Sequence, residues 1–254
     1  MLQRTPTGIA YDVAGHGPAV LLLHAGIADH RMWDEVADLL VATHTVVRPD
    51  FRGFGASAVP DRPFRHVDDV REVLDAAGVT SATVAGNSFG GRVALALAGA
   101  HPSRVERLVV LAASIDDWDW SAEAAEADAA EERALAGGDL ATAIRINEDI
   151  WLRGPRREWS DQLRAIADRL AGPLRTALVN MAETSQFAEP DHPLVLAELS
   201  TSTTVGVGLL DLPDFVGMAH ELARRILGAT LVEFAEAAHL LPLEEPARVA
   251  ALIV

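Results

Sequence analysis

The sequence predicts an α/β protein whose mostly parallel sheet is interrupted by one long helical segment. Up to residue 114, short apolar runs rich in Val and Leu alternate with stretches of helical periodicity. From residue 115 to about residue 199 no strand-like run occurs, and strand character returns only after that point. Strands that alternate with helices at this spacing are typical of parallel sheets with helical crossovers.

The individual elements follow from apolar periodicity and from the turn residues that bound them. Residues 19–24 (AVLLLH) form a continuous apolar run, which is typical of a strand buried on both faces. The other predicted strands are 44–48, 82–85, 108–112, 203–210 and 230–234, and the helices of the first half are 32–41, 66–77 and 92–100.

The segment 115–199 is predicted to contain four helices, separated at Gly137-Gly138, Gly154-Pro155 and Gly172-Pro173. The chain is therefore predicted to consist of two structural units. Residues 1–114 and 200–254 form the α/β core, and residues 115–199 form a helical insertion.

Composition excludes several classes of function. The 254 residues carry a formal net charge of −16, contain no Cys, and include 21 cationic side chains that are all Arg. Without Cys there is no disulfide, thiolate nucleophile or Cys-ligated metal, and without Lys there is no Schiff base. The acidic balance argues against nucleic acid or an anionic membrane as partner, because such binding needs clustered cations.

No targeting or membrane signal is recognisable. The first residues, MLQRTPTGIAYDVAG, have no apolar core of a signal peptide, and no run approaches the roughly 18 apolar residues of a spanning helix. We expect a cytoplasmic protein, either a monomer or a homodimer, with a small molecule as its partner.

A nucleophile is predicted at Ser88. The motif GNSFGG follows the strand SATVA and precedes the helix RVALALA. A Gly-x-Ser-x-Gly turn between a strand and a helix strains the serine backbone and presents its hydroxyl at the end of the sheet. The glycines two residues to either side, Gly86 and Gly90, let the strand and helix approach closely.

A serine hydroxyl needs a general base and an orienting acid. Of nine histidines, His239 is the best base because it follows the predicted strand TLVEF in a loop at the sheet edge. Asp211 closes the strand TTVGVGLL and is the preferred acid, in the chain order Ser, Asp, His. Asp116 and Asp117, which follow the strand LVVLAAS, are the rival acids. Asp214 is predicted to cap the helix that begins near Phe215.

An oxyanion hole needs two backbone N–H groups aimed at one point. Phe89, directly after the nucleophile, is one predicted donor. The second is predicted in the loop that follows AVLLLH, at Gly26 with Ile27 as the alternative. His24 is expected to brace that loop.

These pieces together resemble the α/β-hydrolase family, over nearly the whole chain. The matching segments are LLLHAGIADHRMW, PDFRGFGAS, GNSFGG, VGLLDLPDF and AAHLLPLEEP, in family order and spacing. The resemblance implies an eight-stranded, mostly parallel sheet, a helical cap inserted after the sixth strand, and cofactor-free hydrolysis by Ser88, Asp211 and His239. No ligand spacing such as His-Glu-x-x-His occurs, so no metal site is predicted.

Departures from the family pattern narrow the range of reactions that we expect the chain to catalyse. Ser88 differs from the Asp nucleophile of haloalkane dehalogenases and epoxide hydrolases. GNSFGG is also the elbow of carbon–carbon bond hydrolases, but those carry Trp after the catalytic His, where this chain has Leu240. The usual His-Gly is His24-Ala25 here. DHRMWDE is similar to 3-oxoadipate enol-lactonases, which places the chain in the esterase and lactonase branch.

The insertion contains four of the five tryptophans, and family caps form the far wall of the substrate pocket. We expect an apolar pocket lined by Ile27, Trp120, Trp151 and Leu240. Arg153, Arg156 and Arg157 are interpreted as a solvated basic patch rather than as a carboxylate receptor.

The sequence thus predicts a serine hydrolase for a neutral, apolar carboxylic ester or lactone. Two alternative functions are also consistent with the sequence, one with a different reaction and one without catalysis. A cofactor-free perhydrolase or a carbon–carbon hydrolase would use the same triad, and a non-catalytic ligand receptor would use only the pocket.

Overall fold

The computed structural model describes residues 1–116, 118–191 and 194–254. Its strands form one eight-stranded sheet in the order β1-β2-β4-β3-β5-β6-β7-β8. Strands β1 and β2 pair antiparallel with their neighbours, and the other six run parallel. The strands are β1 Gln3–Arg4, β2 Ala10–Gly15, β3 Ala19–Leu23, β4 Thr45–Pro49, β5 Ala82–Asn87, β6 Val105–Leu111, β7 Ser202–Gly208 and β8 Thr230–Phe234. The predicted fold class is confirmed.

The helices flank the sheet and fill the long connection between β6 and β7. They are α1 Asp34–Leu40, α2 His66–Ala76, α3 Phe89–Ala100, α4 Ala122–Ala136, α5 Leu140–Asn147, α6 Asp161–Ser185, α7 Pro213–Arg225, α8 Leu241–Glu244 and α9 Pro246–Ile253. Short 3-10 turns occur at His30–Trp33, Pro102–Arg104 and Leu196–Glu198, and a π-helical segment at Glu148–Arg153.

The central strands are buried on both faces, which explains their continuous apolar runs. In β3, Leu21 and Leu23 pack into a cluster with α2, α3 and α7, while Val20 and Leu22 pack with α1 and α9 on the other face. Successive side chains of a strand point to opposite faces, so both faces need apolar residues here.

The helical segment between β6 and β7 differs from the prediction at one place. Helix α4 ends before Gly137, and the π-helical segment ends before Gly154, as expected. Gly172-Pro173, however, lies inside α6, which runs without interruption for 25 residues. Pro173 removes one backbone donor, but Leu170 and Leu174 on either side are buried, and their packing holds the helix together.

No helix in the described ranges is both long enough and apolar enough to cross a membrane.

Candidate active site

The parallel strands bring their carboxyl ends to one edge of the sheet, and the predicted site residues follow four of those ends. Such edges are where open α/β sheets place ligands. Ser88 follows β5, Asp211 follows β7, His239 follows β8, and the Gly26 loop follows β3.

Ser88 occupies a strained turn between β5 and α3. Its φ of 55° and ψ of −117° are rare for a residue with a side chain. A Cβ on Gly86 would collide with the backbone of Gly90, and a Cβ on Gly90 would collide with the carbonyls of Leu23 and His24. Both glycines are therefore required for the strand and helix to meet at this angle.

Asp211 and His239 are in direct contact. The imidazole Nδ1 of His239 lies 2.7 Å from Oδ2 of Asp211, and both side chains are almost completely buried. The other carboxylate oxygen of Asp211 accepts a hydrogen bond of 2.7 Å from the Leu212 N–H. This leaves Nε2 of His239 as the ring nitrogen available for proton transfer. Among the described residues, no hydrogen bond joins the Ser88 hydroxyl to His239, and such bonds are often loose in the absence of substrate.

Two further contacts hold the His239 loop, and sequence reasoning missed both. The Asn87 side chain donates from Nδ2 to the His239 carbonyl at 3.0 Å, which ties the residue before the nucleophile to the base. The Ala238 N–H donates to Glu244, which is also paired with Arg157.

The predicted oxyanion donors lie side by side. A Cβ on Gly26 would be 3.6 Å from the Phe89 Cβ, so the two backbones approach closely at this point. In the described part of the chain the Gly26 N–H donates no hydrogen bond. The Phe89 N–H opens α3, where first-turn donors have no intrahelical acceptor. Within the described ranges, two backbone donors without an intrahelical or loop acceptor therefore lie on neighbouring segments.

His24 braces this loop, as expected. The Phe51 N–H donates to its Nε2 at 3.0 Å, and its Nδ1 lies 2.8 Å from the Ala25 carbonyl. An acceptor Nε2 leaves the proton on Nδ1. Burial lowers the pKa of His24, although the nearby Asp50 carboxylate opposes the shift.

Aromatic rings surround the imidazole of His239. The Phe215 ring lies 4.3 Å from it and the Trp151 ring 4.8 Å, measured between centroids. Trp151 belongs to the π-helical segment, a type of irregularity that is frequent at functional sites. Nothing in the local sequence marks the π-helix, and Phe215 was considered only as the start of α7.

A cavity of about 420 Å³ borders this aromatic group. Trp120 and Trp151, two of the four residues predicted to line a substrate pocket, line this cavity together with Ile146, Ile150 and Leu212 and with residues of α4. The two other predicted lining residues lie elsewhere. Leu240 is completely buried in the core beside α1 and α9, and Ile27 packs partly buried between that core and a small cluster around Leu174.

The family model for the α/β hydrolase fold matches residues 18–140. A solved hydrolase from Pseudomonas aeruginosa PA01 is 28% identical, with a TM-score of 0.75 over 99% of this chain and 95% of that one.

The chain has the α/β-hydrolase fold.

Two other matches show that proteins similar to this chain differ in activity. A thermophilic esterase from Thermogutta terrifontis is 25% identical, with a TM-score of 0.76 over 100% of this chain and 96% of that chain. The 2-hydroxymuconate semialdehyde hydrolase of Pseudomonas sp. strain CF600 is 39% identical over 105 residues, which are 39% of this chain and 37% of that protein. The alignments to the curated relatives cover less than half of each relative's length.

Two interpretations of polar residues in the sequence were wrong. Asp214 does not cap α7, which begins at Pro213 after Leu212. Its carboxylate instead accepts hydrogen bonds from the N–H and hydroxyl of Ser121 and from the Trp118 indole, at 2.7 to 3.2 Å. It thereby ties the start of the helical segment to α7. A cap and a long-range acceptor look identical in sequence, because both place Asp at the beginning of a helix.

Arg153 and Arg157 do not form a solvated patch either. Arg157 pairs with the buried Glu244 and donates to the carbonyls of Leu152 and Glu236 at 2.8 and 2.9 Å. Arg153 pairs with Asp149 at 3.0 Å. Arg153 thus joins turns within the helical segment, whereas Arg157 also joins that segment to the His239 loop. Of the three arginines only Arg156 is exposed.

Of the two rival acids the structure describes Asp116. Asp116 is exposed and pairs with Arg92 at 3.1 Å, while Asp117 lies outside the described residues.

His66 gives the site a pH-dependent stability. Its ring packs edge-on against Phe51, Phe64 and Phe89, and its Nδ1 is buried without a described hydrogen-bond partner. Burial, and then the positive charge of Arg92, lower the pKa of His66 from 6.5 to about 3.

The unfolded chain protonates this imidazole near pH 6.5, whereas the folded chain does so only near pH 3. Stability from neutral His66 is therefore complete above pH 6.5 and is lost as the pH falls, by about 1.4 kcal/mol per unit. Urea unfolding at pH 7, 6 and 5 should show a shallower loss in His66→Gln than in the wild type. The exposed His220→Gln serves as control, and equal slopes in all three proteins would contradict the prediction.

Proposed function

We propose that this chain is a serine hydrolase that cleaves carboxylic esters or lactones through an acyl-enzyme on Ser88. The observation that carries the proposal is the buried contact of 2.7 Å between Asp211 and His239, at the same sheet edge as the strained turn of Ser88. A buried carboxylate on Nδ1 fixes the imidazole tautomer and stabilises the imidazolium, which is the role of the acid in a Ser-His-Asp triad.

The reaction proceeds in two halves. Nε2 of His239 takes the Ser88 proton as Oγ attacks the substrate carbonyl, and the N–H groups of Gly26 and Phe89 bind the oxyanion. His239 then gives its proton to the leaving alcohol, which departs as the acyl-enzyme forms. Water then attacks the acyl carbonyl while His239 takes its proton, and the tetrahedral intermediate collapses as His239 returns that proton to Ser88 Oγ, which releases the carboxylic acid.

The helices of residues 115–199 are proposed to act as a cap over this edge. Trp151 reaches His239 from the π-helical segment. Gly154 has a φ of 74°, and a Cβ there would collide with the Leu210 carbonyl and approach the Ala238 Cβ to 2.9 Å. The segment thus rests directly on the loops that carry the proposed acid and base.

Labelling with a fluorophosphonate probe tests the proposal without knowledge of the substrate. Intact mass should show one adduct per folded chain, and Ser88→Ala and His239→Ala should both lose it. Ser114→Ala, after the neighbouring strand β6, and the exposed His220→Ala should keep it. A folded wild type that takes no label would overturn the proposal in favour of a non-catalytic ligand-binding protein.

Carbon–carbon bond hydrolysis is the second candidate, supported by the elbow GNSFGG and by the 39% identity to 2-hydroxymuconate semialdehyde hydrolase. Both activities predict fluorophosphonate labelling. Turnover of a vinylogous 1,5-diketone at a higher kcat/KM than simple esters would favour the second candidate.

A further inference from the structure

The cavity of about 420 Å³ near the proposed triad carries negative charge on otherwise apolar walls. Its walls are mostly aromatic and aliphatic, but Asp128 and Glu131 of α4 also line it. Of the described residues that line it, none is basic. The Arg133 side chain of the same helix is turned to Glu126 instead, at 2.9 Å.

Glu131 is held in place as a lining residue. One of its oxygens accepts a hydrogen bond from the Asn147 side chain, which is itself buried and also donates to the Ala143 carbonyl at 2.9 Å. Partial burial raises the pKa of Glu131 despite this hydrogen bond. A positive charge in the cavity would relieve that burial cost by stabilising the carboxylate.

The aromatic rings continue from the cavity to the proposed base. Phe215 meets Trp120 edge-on at 5.7 Å and Trp151 at 5.6 Å, and both Phe215 and Trp151 touch the His239 imidazole. Leu212, another lining residue, donates its N–H to Asp211. Two lining residues of the cavity thus contact His239 and Asp211, although none of its described lining residues belongs to the proposed triad itself.

Two indole rings and two carboxylates around an apolar space are a combination that binds organic cations. The faces of Trp attract ammonium groups, and apolar walls accept their alkyl substituents. The carboxylates add Coulomb attraction and repel a substrate carboxylate.

We propose that this cavity receives the distal end of the ester substrate and selects esters that carry a quaternary or protonated amine there. The inference rests on the proposed ester hydrolysis, and it adds a substrate class to it.

Isosteric ester pairs test the preference, because they differ only in charge. Choline butyrate is compared with 3,3-dimethylbutyl butyrate, and methyl 6-(trimethylammonio)hexanoate with methyl 7,7-dimethyloctanoate, so that the cation is offered on either side of the ester bond. In at least one pair the cationic ester should have a kcat/KM at least about fivefold higher, since cation–π and carboxylate contacts at partly exposed sites each contribute a factor of a few.

The double variant Asp128→Asn/Glu131→Gln should bring this ratio close to one. The double variant Glu123→Gln/Glu132→Gln removes the same number of charges from exposed positions of α4 and should preserve the ratio. Neutral esters that are cleaved as well as cationic ones in both pairs would overturn the cation preference and leave the ester hydrolase proposal standing.

Binding is measured separately in case no ester is cleaved. Hexyltrimethylammonium should quench the tryptophan fluorescence of Ser88→Ala saturably, and the double variant should bind it at least about fivefold more weakly. Failure of turnover together with such binding would overturn only the ester hydrolase proposal. Absence of saturable quenching would overturn the cation site.

Discussion

Replacing Asp211 by Asn is expected to lower kcat by about 10⁴-fold while the fold is retained. The amide keeps the shape of the carboxylate, but it favours the imidazole tautomer whose Nε2 carries the proton and cannot accept one from Ser88. It also leaves the imidazolium of the transition state without the charge that now lies 2.7 Å from Nδ1. Hydrolysis of p-nitrophenyl butyrate and the second-order rate of fluorophosphonate labelling would both measure the loss.

Asp116→Asn is the matched control, since Asp116 was the rival acid within the described residues. Its exposed pair with Arg92 contributes little, so activity should stay within about twofold of the wild type. A large loss in Asp116→Asn with little change in Asp211→Asn would reverse the assignment of the acid.

Replacing Arg52 by Met is expected to cost about 3–5 kcal/mol in the free energy of unfolding. Arg52 forms two parallel hydrogen bonds with Asp69, at 2.7 and 2.8 Å, and each side chain is only 9% exposed. Burial raises the pKa of Asp69 in spite of this pairing, so the carboxylate depends on its partner. Without Arg52 it would remain buried and uncompensated. The measurement is urea unfolding at pH 7.

The chain offers a control for this pair ten residues further on. Arg62 and Asp61 lie 3.0 Å apart but are 78% and 81% exposed, so Arg62→Met should change stability by less than about 0.5 kcal/mol. The double variant Arg52→Met/Asp69→Leu should recover much of the loss, because two apolar side chains leave no buried charge. Equal losses in Arg52→Met and Arg62→Met would contradict the prediction.

Arg52 also matters for the geometry near the nucleophile. It belongs to the loop after β4 whose rings, Phe51 and Phe54, pack against Phe89 and His24. Weakening this loop would loosen the side of the site that presents the proposed oxyanion donors.

The fold class could be predicted from sequence because both faces of the central strands are buried. That burial requires continuous apolar runs such as 19–24, and the runs are visible without any knowledge of contacts. The break at residue 115 was equally visible, since helical periodicity replaces strand runs there.

Helix ends in the helical segment and side-chain directions in loops were less predictable from the sequence. Pro173 was expected to end a helix, and α6 continues through it because packing on either side outweighs one missing hydrogen bond. Leu240 was expected in the pocket because it follows His239, but the chain turns there and directs it into the core. Side chains of adjacent residues in a loop can point in different directions, and the sequence does not show which.

Ser88, Asp211 and His239 could be proposed from the sequence, because each follows a predicted strand and parallel strands bring their ends to one edge. The proximity of Asp211 to His239, the three hydrogen bonds that Asp214 accepts, the pairing of Arg157 with Glu244, and the carboxylates lining the cavity were decided only by the tertiary structure. Apolar periodicity is a local property, since each strand or helix must bury its own face. The partner of a polar side chain is a different kind of property, because it depends on where two distant loops meet.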